Sequence, residues 1–195
     1  MSAHASKSDA AKKRVADLLL KHKVLTQDAY ESVVDYVKRT GDVSEEGIIE
    51  LGLMSEGEVL KHLAGIFRTN FVTTEKLSKV ELPRSTLEMI PRKVAESLGV
   101  LPVLFDPKSN TLSVVTTDPD DEEMIRNLKM AVTAKEIRAF VARRAAIQAG
   151  FAKYFNGDKR AFEVLERTNS ARWVTGLTST GSERQFDSIE RFSNT

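Results

Sequence analysis

The sequence predicts an α+β protein: an N-terminal repeat of four short helices, then a small three-stranded sheet with helices packed on it. Three observations lead there. A helix–loop–helix pattern occurs twice within residues 14–67, and an offset of 29 lays Leu19 on Ile48, Leu20 on Ile49, Val24 on Leu53, Leu25 on Met54 and Thr26 on Ser55. Two β-branched runs, residues 100–105 and 111–116, flank the turn residues Asp106-Pro-Lys-Ser-Asn110 and read as a hairpin. Helical and strand periodicities then alternate as far as Gly157. Two copies are too few for a solenoid, so the repeat is expected to close into one helical unit.

In chain order, residues 1–11 are small and polar and are expected to be disordered. Helical spacing starts at Lys12 and puts Val15, Leu18 and Leu19 on one side. Thr26 is the expected N-cap of the second helix, with Asp28 in its first turn and Gly41 at its end. The third helix starts at Ser44, carries Glu45 and Glu46 near its N-terminus, and ends at Gly52. Ser55 and Glu58 form a capping box for the fourth, whose inward stripe is Val59, Leu60, Leu63, Ala64 and Phe67.

The second half changes character. Residues 71–74 are a candidate strand and 77–83 a linker-like run. Ser85 and Glu88 give a second capping box, which Pro91 cuts short; Pro91 then opens a helix that ends at Gly99. After the hairpin, Asp118 and Pro119 supply a cap and a first-turn proline for a helix through Met130. Residues 137–141 read as the third strand and 142–155 as a helix stopped by Asn156-Gly157. The expected organisation is a disordered 1–11, a duplicated helical unit over 12–69, an α+β domain over 70–157 and a mostly disordered tail over 158–195, with room for one more helix over 161–167.

Composition narrows the chemistry. Basic and acidic residues nearly cancel, 29 against 28, which leaves no electrostatic footprint for nucleic acid. Cysteine is absent, so disulfides, thiolate metal sites and cysteine nucleophiles are excluded. The N-terminus lacks the apolar core of a signal peptide, and no apolar run approaches the ~20 residues that cross a bilayer. A cytoplasmic location is the expectation.

The order of motifs resembles a known family. Residues 14–67, then Leu63-Ala-Gly-Ile-Phe-Arg-Thr-Asn-Phe-Val, Ile90-Pro-Arg-Lys-Val-Ala, Val100-Leu-Pro-Val-Leu and Thr111-Leu-Ser-Val-Val-Thr-Thr-Asp-Pro, resemble the N-terminal regulatory domain of type II secretion and type IV pilus assembly ATPases. The resemblance implies a non-catalytic domain that docks to a membrane-platform component or to the motor ATPase. In one branch of this family the duplicated stretch binds cyclic di-GMP through a repeated pattern of Arg-Leu-Gly followed by Leu, Gly, Leu, Leu, Leu and Gln. An arginine fork suits guanine or phosphate, glycine admits close backbone approach, and leucines contact the base faces.

This sequence keeps part of that pattern. In the first copy Arg14, Leu19 and Leu25 match, but Val15 and Ala16 replace Leu and Gly, Lys23 replaces Gly, Tyr30 and Val34 replace Leu, and Val37 replaces Gln. In the second copy Gly52 and Leu63 match, while Val43, Ser44 and Glu45 stand at the Arg-Leu-Gly positions and Ile66 at that of Gln. The candidate ligand-binding residues are therefore Arg14, Leu19, Leu25, Gly52 and Leu63. A missing second arginine and an added glutamate disfavour a dianionic ligand, so the expectation is no cofactor and a retained scaffold with cyclic di-GMP binding lost. The alternative is a cyclic di-GMP sensor that uses the duplicated stretch.

Other candidate chemistry has simpler explanations. The glycine spacing of residues 176–183 suggests a phosphate loop but lacks the lysine and lies in a polar tail. Asp118, Asp120, Asp121, Glu122 and Glu123 read as an acidic first helical turn rather than a metal site. His4, His22 and His62 have no ligand spacing. Arg143 and Arg144, with Lys12, Lys13 and Arg14, read as solvated surface. Tyr30, Tyr36 and Tyr154 read as core or rim aromatics. No pattern arranges a nucleophile with a base, so the chain is not expected to be an enzyme.

Overall fold

A computed structural model of the chain describes residues 3–165. The duplicated unit consists of α1 (Ala3–Lys21), α2 (Gln27–Thr40), α3 (Ser44–Glu50) and α4 (Glu56–Phe67). The first helix starts at Ala3 rather than Lys12. Four of the nine residues from 3 to 11 are alanine and no glycine or proline interrupts them, so propensity favours a helix that the absence of an apolar stripe conceals.

The two copies share their turn geometry residue by residue. Val24 N–H donates to the Leu19 carbonyl at 2.8 Å, and Leu53 N–H to that of Ile48 at 3.0 Å. Lys23 and Gly52, again 29 apart, both take the left-handed conformation, at φ 58° and 68°. This is the Schellman closure, in which a left-handed residue lets two amides satisfy the last carbonyls of the helix. Caps follow at matching positions: the hydroxyls of Thr26 and Ser55 each accept an amide three residues on at 3.3 Å, and Glu58 completes the capping box.

Packing of the two copies buries Ala16, Leu19, Leu25, Val33, Val37, Ile48, Ile49, Val59, Leu60 and Leu63 in one core. Val141, on the sheet, belongs to the same core. The helical unit is thus seated on the sheet rather than tethered to it.

The sheet has four strands, not three. β1 (Phe71–Val72), β2 (Leu101–Asp106), β3 (Thr111–Thr116) and β4 (Glu136–Ala142) lie in the order β1-β4-β3-β2. The hairpin partners β2 and β3 are antiparallel, and β4 runs parallel to both β3 and β1. The candidate strand over residues 71–74 is realised as Phe71–Val72, paired with Val141 and Ala142 about 70 residues away. Pro102 sits on edge strand β2 beside a register shift, where a missing amide is tolerated.

Helices cover both faces of the sheet, which explains why β3 is buried along its whole length. Leu112 and Val114 face a core with α7 (Arg92–Leu98) and α8 (Glu122–Ala131), contributed by Ala95, Met124 and Leu128. Val115 faces the opposite core with Leu77 of α5 (Thr74–Lys79) and Ala146 and Ile147 of α9 (Arg144–Asn156).

Local signals were misread at several points. The start of the linker-like run belongs to α5, which is capped by Thr73, whose hydroxyl accepts Lys76 N–H at 3.3 Å. Ser85 and Glu88 make no box: α6 (Arg84–Leu87) starts after Pro83 without a side-chain cap, and Glu88 pairs with Arg84 instead. The cap of α8 is Asp121, which accepts Met124 N–H at 2.9 Å, not Asp118. Pro91 precedes α7 as its cap residue. The α9 helix ends at Gly157 as expected, and Phe162 is buried beyond it. Most of the expected tail, including Trp173 and the glycine pair at 176 and 181, lies outside the described residues.

Candidate functional site

The five candidate ligand residues do not come together on a surface. Leu19, Leu25 and Leu63 are buried in the core of the helical unit, where they pack against other side chains. Gly52 lies exposed at the α3–α4 turn, and its left-handed backbone accounts for it structurally. Arg14 is half exposed, at 49%, and its guanidinium is engaged by Asp118, with Nη2 donating to Oδ1 at 2.9 Å. Burial of Asp118 outweighs the pull of Arg14 and raises its carboxyl above the ordinary value. In the second copy Val43, Ser44 and Glu45 are buried at the positions of the family's Arg-Leu-Gly. The five residues thus do not share one surface.

What the structure does assemble is a buried charged cluster where the helical unit meets the sheet. Arg143, the last residue before α9, is only 3% exposed. Its Nε donates to Glu46 Oε1 at 2.7 Å, and its Nη2 donates to Glu46 Oε2. This side-on pair corrects the reading of Arg143 as solvated surface. Burial alone would lower the guanidinium's affinity for its proton; Glu46, then Glu56 and Glu50, more than offset it. Arg143 Nη1 is buried with no hydrogen-bond partner among the described residues.

Two further carboxylates approach. Glu56, in the first turn of α4, accepts both the amide and the hydroxyl of Thr74 at 2.7 Å, tying α4 to the start of α5. Glu45 and Glu56 line, with Arg143, a cavity of about 10 Å³ walled by Val15, Val59 and Leu63. That volume holds about one water molecule. Burial raises the Glu45 carboxyl to about 7; a backbone hydrogen bond to its carboxylate and the charge of Arg144 oppose it, and the neighbouring charges of Glu46 and Asp42 add to it. On the other side of the pair, Lys12, Tyr36, Asp42, Glu50, Arg144 and Gln148 line an open groove of about 400 Å³ with Glu46.

Sequence reasoning missed this cluster because nothing local marks Arg143 as buried. One signal was available: three glutamates, at 45, 46 and 56, lie near the apolar stripes of α3 and α4, where a buried acid needs a cation. The remaining candidates are ordinary. His22 and His62 are exposed, and among the described residues no group of three His, Asp or Glu could hold a metal. Tyr30 and Tyr36 pack at the edge of the helical core, and Tyr154 at the edge of the α9 core.

A duplicated helical unit is thus seated on a mixed sheet and joined to it by a buried ion pair. Residues 71–161, a little under half of the chain, match the MshEN domain family, and the resemblance to the N-terminal domains of secretion and pilus assembly ATPases is supported. Such a domain is regulatory and not itself catalytic. A solved structure of MshE with cyclic di-GMP superposes with a TM-score of 0.54 at 22% identity, covering 72% of this chain and 97% of that one. The N-terminal domain of XpsE is 18% identical, with a TM-score of 0.49 over 74% of this chain and 95% of its own. No curated protein sequence matches the chain significantly. Among the described residues, no helix is long and apolar enough to cross a membrane.

Proposed function

We propose that the chain is a cytoplasmic, non-catalytic docking module that binds a protein partner, either a secretion or pilus platform component or the motor ATPase. The observation that carries this reading is the fate of the duplicated stretch. The matching leucines Leu19, Leu25 and Leu63 are spent on the core, while of the arginine and glutamine positions that would hold a nucleotide only Arg14 is kept, the others carrying Val37, Val43 and Ile66. Leu51 and Leu53 flank Gly52 at the tip of the second copy and are 41% and 39% exposed, which supplies apolar contact area to a partner. Affinity capture with the full chain from its native cells, followed by crosslinking to locate the contact, tests the reading. A secretion or pilus component crosslinked near Leu51–Leu53, and lost in Leu51→Ser/Leu53→Ser, is the expected result. Capture of no secretion, pilus or signalling component counts against it.

A second reading is a cyclic di-GMP sensor. It draws on the ligand named for the MshE structure and on the half-exposed Arg14 guanidinium. Under this reading, release of Arg14 from Asp118 would be the first requirement for binding.

A further inference from the structure

We propose that Glu45, Glu46, Glu56 and Arg143 form a proton-operated latch between the helical unit and the sheet, closed while Glu45 is protonated and loosened when it ionises. The inference concerns the fold's own joint and stands whether or not the chain docks to a partner.

The geometry sets the terms. Arg143 uses Nε and Nη2 on Glu46, so its free Nη1 is turned away from that carboxylate. Glu45 and Glu56 line the water-sized cavity that Arg143 also lines, whereas Glu46 lies on the groove side. The polar residues that line this cavity are Glu45, Glu56, Thr117 and Arg143, enough to hold one water. Every strut of this joint crosses between the two parts: α3 supplies Glu45 and Glu46, α4 supplies Glu56, and the β4–α9 junction supplies Arg143.

The charges around Glu45 make its proton matter. Asp42 from the α2–α3 connection, Glu46 from its own helix and Glu56 from α4 are acidic; Arg143 and Arg144 are basic, and Arg143 is already committed to Glu46. From α1 and from the segment after β3 the cavity receives only Val15 and Thr117. An ionised Glu45 is therefore a buried charge beside three others of its sign, offset only in part by a backbone hydrogen bond to its carboxylate and by Arg144, and admitting water between α3 and the β4–α9 junction relieves it.

The direction follows from linkage. The Glu45 carboxyl is raised from 4.5 to about 7 in the folded chain, so folding takes up a proton in between. Stability from this group is greatest below its unfolded value, falls as pH rises through that window and is flat above it. The corresponding change in the folding equilibrium constant is on the order of 100-fold.

The test compares the full chain with Glu45→Gln, a neutral isostere, by chemical denaturation from pH 5 to pH 9. The variant is expected to match the wild type near pH 5 and to become more stable than it by on the order of 100-fold in equilibrium constant at pH 8. Hydrogen exchange, corrected for its intrinsic pH dependence, should show α3 losing protection between pH 6 and pH 8 in the wild type only. A stability difference that does not change with pH overturns the proposal, as does an α3 whose protection is unmoved. If Glu45→Gln fails to fold, carboxyl-carbon NMR of the wild type decides: a Glu45 midpoint near 7 supports the latch and one near 4.5 overturns it.

Discussion

Arg143 and Glu46 lie 97 residues apart in sequence and close on each other as a side-on ion pair, nearly excluded from solvent, across the joint between the helical unit and the sheet. Breaking such a pair leaves a buried charge with no partner, whereas replacing both members with apolar residues does not. Arg143→Ala is expected to destabilise the chain by about 3–5 kcal/mol, and Arg143→Met/Glu46→Leu by much less. Urea denaturation of the two variants checks this. Equal losses would mean that the pair contributes only packing.

Leu19 separates a core role from a ligand role. Completely buried in the helical unit, it should cost about 2–5 kcal/mol when cut to alanine, with a lower thermal midpoint. A Leu19→Ala variant as stable as the wild type would show that its side chain is not spent on packing.

The matched turns predict opposite effects for similar changes. Lys23 holds a left-handed conformation that costs a non-glycine residue about 1 kcal/mol, while Gly52 holds it freely. Lys23→Gly should therefore be neutral to stabilising and Gly52→Ala destabilising by about 1 kcal/mol, since a Cβ at Gly52 meets no neighbouring atom and only the backbone objects. Thermal melts of both variants at one pH read the difference. Destabilisation by Lys23→Gly would mean that the lysine side chain makes a contact worth more than the strain.

These relationships show what local sequence carries and what it does not. Repeat, hairpin, the Ser55 capping box and the glycine stops at 41 and 157 were legible because each is decided within a few residues. Ser85 and Glu88 had the right spacing for a box, yet Arg84 took the glutamate. The burial of Arg143 exists only through a partner 97 residues away, so no window of sequence could contain it. The candidate leucines illustrate a related point: Leu19, Leu25 and Leu63 occupy ligand positions in the pattern and core positions in the fold, and the two look alike in sequence.

The central claim is that the duplicated stretch has kept its scaffold and given up its nucleotide. Isothermal titration calorimetry of the full chain with cyclic di-GMP addresses it most directly. The account predicts no binding tighter than about 100 μM. A low-micromolar Kd that disappears in Arg14→Ala would contradict it.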